Sequence, residues 1–337
     1  MEMTSHAALA VTDRSHVSAA RLAARRAADS VNFDETDAHR VGIVATELAS
    51  NLLKHTGALG GSILLRCAAT PVPEIELVAL DRGPGMADVA HSLVDGHSTA
   101  GSVGAGLGAV QRLADEFDVY SVPGQGTVVW VRLRRNREPT RPAGRFTVAG
   151  VSVPMAGEEV CGDAWAMAVD RATLTVMVVD GLGHGIHAAD AARAGTRAGL
   201  AQPYGSAAET LTAMHQATTH TRGAAAVVAR LALQPAGVSV AGVGNCTVAI
   251  VGSVQVRRAA SLGGILGHGV RQAREYQYPW TDGAMLILHS DGLTSHWSLD
   301  GYPGLRRRHP AVLAAVLYRD FQRGRDDVTV VAAREVA

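Results

Sequence analysis

The stretch VMVVDGLGHG, residues 176–185, decides the fold of the C-terminal half. Val176, Met177, Val178 and Val179 run without a break into Asp180 and a glycine-rich turn. A short continuous apolar run bounded by turn residues reads as a buried strand, so Asp180 stands at a strand end. Working outward, the same grammar recurs in GEEVCGDAW (157–165), LILHSDGL (286–293) and RDDVTVV (325–331). A lone Asp-Gly pair most often makes a turn. Four acidic motifs, three of them beside strongly apolar strands, are a pattern, because carboxylates at strand ends converge when the strands lie side by side. Oxygen ligands without a cysteine partner suit Mg²⁺ or Mn²⁺ rather than zinc.

The surrounding sequence supports two domains. The chain has 337 residues, 47% of them hydrophobic, with 31 basic and 31 acidic residues. Balanced charge offers no global field for nucleic acid or an anionic membrane. Lys54, in LLKHT, is the only lysine, so no Gly-Lys-Ser/Thr exists and a P-loop NTPase is excluded. Cys67, Cys161 and Cys246 are far apart and form no CxxC pair, which argues against a disulfide framework and for a reducing cytosol. No apolar run approaches membrane-span length, and the opening residues lack a secretory pattern, so a cytoplasmic location is expected. The polar, proline-bearing stretch RRNREPTRPAGR (134–145) is the linker candidate. The expected boundaries are 1–134, a linker at 135–145, and 146–337.

The N-terminal region alternates helices and strands. VSAARLAARRAADSV (17–31) and residues 37–55 have helical spacing, as does GLGAVQRLADEF (106–117); SILLRCAA, EIELVAL, DVYSV and TVVWVRL read as strands. On the second helix, Val41, Val44, Leu48 and Leu52 make the core stripe, while Glu47, Asn51 and His55 recur at steps of four on another face. A carboxylate, an amide and an imidazole on one stripe suit Mg²⁺ and a nucleophile, although for that helix alone a solvated face is the better reading. Asp81 stands where a strand enters the loop DRGPGM, with Gly83 and Gly85 permitting close backbone approach. An aspartate placed there accepts a hydrogen bond from an exocyclic amine such as that of adenine. Gly104, Gly106 and Gly108 open a helix whose free N–H groups suit phosphate. GQGT then places Thr127 at the start of the last strand.

The order ELxxN, DxGxG, GxGLG, GxGT over residues 10–134 resembles the GHKL ATPases. That resemblance implies an α/β sandwich binding ATP and Mg²⁺ under a mobile lid. It assigns Glu47 as catalytic base and Asn51 as magnesium ligand. Asp81 would read adenine with support from Gly83, Gly85 and Thr127, and Gly104, Gly106 and Gly108 would line the phosphates. Only a short stretch precedes this region, so the phospho-accepting helix pair of sensor histidine kinases is not expected. The stretch from Ser98 to Thr127, with its RLADEFD segment, looks most like the serine/threonine switch kinases of stressosomes.

The four C-terminal motifs resemble the PPM-type phosphatases, in their SpoIIE-like branch, over residues 146–335. The fold implied is an αββα sandwich holding two Mn²⁺ or Mg²⁺. Asp163, Asp180, Asp291 and Asp326 fall on the metal carboxylates, and the Gly181 carbonyl on a further ligand. Glu158 or Glu159 would touch metal-bound water, Asp327 is unranked, and Cys161 is a packed residue. His184 and His187 read as loop and helix-start residues, and His289 as a packed strand histidine. In the families resembled, the substrates are STAS-domain proteins phosphorylated on serine or threonine. The whole chain therefore reads as a switch kinase joined to an opposing phosphatase, setting a stressosome or sigma-factor pathway. Two alternatives stand beside it: an anti-sigma-factor kinase that holds a sigma factor, with a phosphatase resetting its antagonist, and a non-catalytic ATP-regulated STAS-binding module joined to a phosphatase. A downstream phosphatase is a further candidate partner; nucleic acid and membrane are not.

Overall fold

The structure, a computed structural model, describes residues 1–56, 59–93, 106–139, 144–170, 172–253, 255–269 and 273–336. In chain order its elements are β1 (Glu2–Met3), β2 (Ala7–Val11), α1 (Arg14–Ser30), α2 (Glu35–Thr56), β3 (Gly61–Ala68), β4 (Glu74–Asp81), α3 (Val89–Ser92), α4 (Gly106–Leu113), β5 (Glu116–Ser121) and β6 (Thr127–Arg134). There follow β7 (Phe146–Val153), β8 (Asp163–Asp170), β9 (Thr173–Gly181), α5 (Ile186–Ala201), α6 (Ala207–Ala217), β10 (Ala224–Leu233), β11 (Ala236–Val243), β12 (Thr247–Val251), β13 (Val256–Arg258), β14 (Tyr276–Pro279), β15 (Met285–His289), α7 (Pro310–Phe321) and β16 (Val328–Glu335). They form two compact units, each drawn from several stretches of chain. The N-terminal unit holds His6–Thr140 and Leu299–Arg319; the C-terminal unit holds Met1–Ser5, Arg141–Ser298 and Asp320–Ala337. A single cut in the linker candidate does not reproduce these units.

The N-terminal unit is a five-stranded antiparallel sheet in the order β2-β3-β4-β6-β5. Asp13 caps α1 by accepting the Ser15 N–H at 2.8 Å. Ala20, Ala24 and Ala28 recur every fourth residue and give α1 a narrow buried seam. With α2 it covers the sheet face made by Ile63, Leu65, Ile75, Leu77, Ala79, Val129, Val131 and Leu133. Side chains alternate along a strand. Leu64, Val78, Leu80, Val128 and Trp130 therefore face the other way, and they are buried too. Residues of the Leu299–Arg319 segment lie on that second face. His309 stacks on Trp130 with ring centroids 4.0 Å apart and planes 9° from parallel. Asp118 accepts the His309 N–H at 2.6 Å and faces Arg308 Nη1 at 3.3 Å. Every residue from Pro310 to Arg319 in α7 is buried.

A charged cluster is sealed into the same unit. Glu76 meets His6, Arg66 and Arg132, each at 3.0 Å. Burial alone would push its carboxyl up, but Arg66, His6 and Arg132 hold it well below the usual carboxylate range. The helix expected over 106–117 stops at Leu113, and Glu116 and Phe117 belong to β5. The reason is tertiary. Glu116 lies opposite Arg132 in the ladder and pairs with Arg134, while Asp115 accepts the Arg134 N–H at 2.6 Å and Arg40 Nη1 at 3.1 Å.

In the C-terminal unit two antiparallel sheets stack, ordered β1-β8-β9-β10-β11-β14 and β13-β12-β15-β16-β7. Trp165, Val176, Val178 and Val227 from one meet Val248, Leu286, Leu288 and Val331 from the other. Helices α5 and α6 cover the outer face of the six-stranded sheet through Ala192, Ala207, Leu211 and Met214. A capping box between Ser206 and Glu209 starts α6. The expected α/β class and stacked sheets are thus present. Strand β1 adds Met3 opposite Trp165 at the sheet edge, a pairing too short to leave a periodic signal. Among the described residues no helix is long and apolar enough to cross a membrane.

Burial, followed by the nearby Arg132 charge, pushes the His309 imidazole down to about 4. Its folded-state pKa lies below the unfolded value, so its contribution is full above about pH 6.5 and is lost as pH falls towards 4. Wild type should therefore lose about 3 kcal/mol more than His309→Phe between pH 7 and pH 4. Urea unfolding at both pH values, followed by tryptophan fluorescence, checks this; equal losses would refute it.

Candidate active sites

Strands β8 and β9 are antiparallel neighbours, and their register sets Asp163 directly opposite Asp180. Strand β15 ends at His289, two residues before Asp291, and β16 begins at Val328, two residues after Asp326. The glycines following two of these aspartates are required by close backbone approach. A Cβ on Gly181 would stand 2.0 Å from the Ala188 carbonyl, and one on Gly292 would stand 2.0 Å from the Asp327 carbonyl. The Asp-Gly steps therefore let α5 and the start of β16 press against the acidic strand ends.

Negative charge is crowded here. Burial, and then the charges of Asp163, Asp291, Asp326 and Asp327, push Asp180 up to about 9. Burial and the neighbouring Asp327 and Asp326 push Asp163 up to about 7, against the hydrogen bond from Ser290. Asp326 and Asp327 are raised as well, by burial first. Ser290 Oγ donates to Asp163 Oδ2 at 2.6 Å and accepts the Thr329 N–H at 2.9 Å. Asn245 Nδ2 donates to Asp291 Oδ2 at 2.6 Å. Asp327 Oδ1 accepts the Met155 N–H at 2.9 Å, which ties down the loop carrying Glu158. Ser290 and Asn245 were not singled out from the sequence. Ser290 adjoins Asp291 inside LHSDGL, and that adjacency was the available signal.

Asp163 Oδ1 and Asp327 Oδ2 are buried without a hydrogen-bond partner. Orphaned carboxylate oxygens amid like charges fit a hard divalent cation. Among the described residues no three His, Cys, Asp or Glu side chains already stand at cage spacing. Glu158 Oε1 lies 2.6 Å from His184 Nδ1, so this carboxylate is paired with the loop before α5. Burial pushes the Cys161 and Cys246 thiols well above their usual range, and neighbouring aspartates add to it, so neither presents a ready thiolate. His289 is buried, accepts Trp297 Nε1–H at 3.1 Å, and is pushed down to about 4 chiefly by burial.

The second site lies at the end of β4. Asp81 Oδ1 accepts the N–H groups of Gly83 at 2.8 Å and Thr127 at 3.2 Å. Burial pushes this carboxyl up, and those two hydrogen bonds oppose it. Ser121 Oγ accepts the Met86 N–H at 2.8 Å and meets Thr127 Oγ1 at 2.9 Å, stapling the Asp81 loop to the β5–β6 turn. Gly85 (φ 68°) and Gly126 (φ 76°) occupy left-handed conformations. A Cβ on Gly126 would stand 2.1 Å from the Asp81 carbonyl. Glu47 and Asn51 are half-buried, one turn apart on α2. A Cβ on Gly106 would stand 3.0 Å from Asn51 Oδ1, so α4 begins against the amide. Gly108, two residues further on, is buried. Gly104 lies outside the described residues.

Both halves of the chain are similar to known proteins. A family model of the histidine kinase-like ATPase domain matches residues 10–133, and one of stage II sporulation protein E (SpoIIE) matches residues 170–335. The serine/threonine-protein kinase RsbT of Bacillus subtilis (strain 168) is 36% identical over 118 residues, covering 34% of this chain and 88% of RsbT. A solved structure described as the bacterial stressosome, a modular system adapted to control secondary messenger signalling, is 26% identical with a TM-score of 0.52, covering 56% of this chain and 99% of that one. RsbX in complex with magnesium is 20% identical with a TM-score of 0.49, covering 59% of this chain and 98% of that one. The chain belongs to the RsbT family of histidine kinase-like ATPase domains, and its residues 170–335 match the SpoIIE family model.

Proposed function

We propose that this chain is a bifunctional partner-switching regulator. Its SpoIIE-type domain removes phosphate from serine or threonine of STAS-domain proteins, and its RsbT-like domain transfers phosphate to such proteins from ATP. The observation carrying this reading is the cross-strand pair Asp163–Asp180 with Asp291 and Asp326 close enough to repel it. Asp163, Asp180, Asp291, Asp326 and the Gly181 carbonyl would hold two Mn²⁺ or Mg²⁺. Ions bound there supply the charge that clamps a phosphate and activates water for in-line attack. The protein's own contribution is positional. Ser290 fixes the Asp163 carboxylate, Asn245 fixes Asp291, and Asp327 anchors the loop of Glu158.

In the kinase-like domain Glu47 is the base for the acceptor hydroxyl, and Asn51 would hold Mg²⁺. Asp81 reads adenine through Oδ2, since Oδ1 already takes two N–H groups. Gly83, Gly85 and Thr127 support that contact, while Gly106 and Gly108, with Gly104, line the phosphates. At the level of sequence the modules run 1–134 and 146–337, joined by 135–145. If both activities met one site freely, the net result would be ATP hydrolysis, so the two serve different residues or alternate under a signal. A sigma factor or a downstream phosphatase is the further partner through which such a switch reaches its output.

With Mn²⁺ and a phosphoserine STAS protein, wild type should release phosphate, and Asp180→Asn should lower the rate by about 100-fold or more. Retained release in Asp180→Asn, or release that survives chelation, would sink the phosphatase mechanism. With labelled ATP and the unphosphorylated STAS protein, Glu47→Gln should slow transfer by about 100-fold or more while leaving nucleotide affinity near wild type. Unchanged transfer in that variant removes Glu47 from the role of base.

A further inference from the structure

The large apolar side chains left exposed on the C-terminal unit are unevenly placed. Apart from Met1, Tyr204 and Val336, those among the described residues are Leu182, Ile186 and Ile265, exposed by 38%, 60% and 37%. Single hydrophobic residues scattered over a surface are ordinary, whereas a contiguous set marks a contact site. Leu182 and Ile186 lie where the chain runs from Asp180 into α5. Ile265 is brought to the same place by the sheet. Ala224, the first residue of β10, stands opposite Gly181 on one side and is bridged to Leu266 on the other, with the Leu266 N–H donating to the Ala224 carbonyl at 2.8 Å. The Gly223 carbonyl accepts the Leu182 N–H at 3.0 Å, and a Cβ on Gly223 would stand 2.6 Å from Ile265 Cγ2. Leu182 and Ile265 therefore both border one bare glycine.

A cation borders the same shelf. Arg222 is exposed and directly precedes Gly223. Its neighbours are tied down, since the Thr221 N–H donates to the Thr218 carbonyl at 3.0 Å and Thr221 Oγ1 accepts the Gly223 N–H at 3.1 Å. The guanidinium lies against the loop that follows Asp180, for a Cβ on Gly183 would stand 3.3 Å from Arg222 Nη1. Among the described residues no carboxylate pairs with it. Glu158, whose Oε2 would stand 3.2 Å from a Cβ on Gly185 of the same loop, is taken by His184 Nδ1 at 2.6 Å. An arginine left unneutralised on this loop has its charge to offer an incoming anion.

We propose that Leu182, Ile265 and Arg222 form the substrate-recognition rim of the phosphatase centre, and that the rim receives a phosphorylated segment carrying one aliphatic and one acidic side chain near the phosphoresidue. This rests on the reading of Asp180 and Gly181 as metal ligands. The occupant follows from continuity. Leu182 is the residue after Gly181, so a chain that presents its phosphate to that centre lays its flanking residues on this rim. Neighbouring strands are about 5 Å apart, so the backbone at Leu266, two ladder steps from Gly181, lies about 10 Å away, the reach of about three extended residues. The aliphatic and acidic positions are therefore within about three residues of the phosphoserine or phosphothreonine. The aliphatic side chain covers Leu182 and Ile265, and the acidic one pairs with Arg222 while Glu158 stays on His184.

The test uses the full chain at fixed free Mn²⁺ and a set of phosphoserine peptides. Leucine or serine, and glutamate or lysine, are placed in turn at the positions up to about three residues either side of the phosphate. Phosphate release gives kcat/KM for wild type, for Arg222→Glu, and for the double variant Leu182→Ser with Ile265→Ser. At its best position wild type should favour leucine over serine, and glutamate over lysine, by about fivefold or more each. The double variant should lose the leucine preference and keep the charge preference. Arg222→Glu should reverse the charge preference and keep the leucine preference. A merely structural role would slow all peptides together and leave both ratios as in wild type. A wild type indifferent to every flanking residue, or ratios unchanged in the variants, overturns the proposal. Where circular dichroism shows the double variant unfolded, Ile265→Ser alone decides the leucine preference. Wild type that releases phosphate from neither the peptides nor p-nitrophenyl phosphate instead fells the phosphatase reading beneath the proposal.

Discussion

An antiparallel sheet with apolar side chains on both faces needs two covers, and that requirement shapes the N-terminal unit. Helices α1 and α2 supply one cover from the adjoining sequence, through the alanine seam of α1 and the valine and leucine stripe of α2. The other face carries Trp130, Val78 and Leu80, and its cover is Leu299–Arg319. Burying side chains of this size is worth on the order of 2 kcal/mol each. A bare face would therefore forfeit an amount comparable to the whole net stability of an ordinary domain. The stacked pair Trp130–His309 marks the middle of this contact, and Arg319 its end.

The C-terminal unit obeys a different constraint, the repulsion among carboxylates set at the ends of neighbouring strands. The stacked sheets bring Asp163 and Asp180 into register because β8 and β9 form one hairpin. The two glycines after Asp180 and Asp291 then let other backbone close over the acidic ends. Carbonyls of Ala188 and Asp327 occupy the space where side chains would be. The site is compact because its walls are backbone, and it is electrostatically unfavourable without a counter-charge because its contents are acidic.

Much of this was legible in the sequence. The apolar runs before Asp180 and Asp291 and after Asp327 gave the strands and the placement of their carboxylates. The order of short glycine and acidic motifs gave both families. What escaped has a common physical origin: it depends on partners remote in sequence. Glu116 and Phe117 looked helical until Arg132 and Arg134 drew them into β5. Met3 has no pattern of its own and becomes a strand residue only beside Trp165. Ser290, Asn245 and Arg319 matter through single hydrogen bonds to site residues, and no periodicity announces a single bond. Asp81 was visible as a strand-end aspartate, but the arginine that grips its carbonyl is 238 positions away.

The late arrival of α7 has a bearing on how the chain is made. The last strand of the five-stranded sheet is complete at Arg134, yet the segment over Trp130 ends at Arg319. At ribosomal rates of about 5–20 residues per second, the gap lasts roughly ten to forty seconds. Through that interval the nascent sheet shows an apolar face with no cover, the kind of surface that chaperones bind and that aggregates when they do not. The N-terminal unit is begun at residue 6 and completed only at residue 319. A ribosome stalled anywhere before residue 299 would hold a histidine kinase-like fold whose helices and strands are made while the second face of its sheet still waits for residues 299–319.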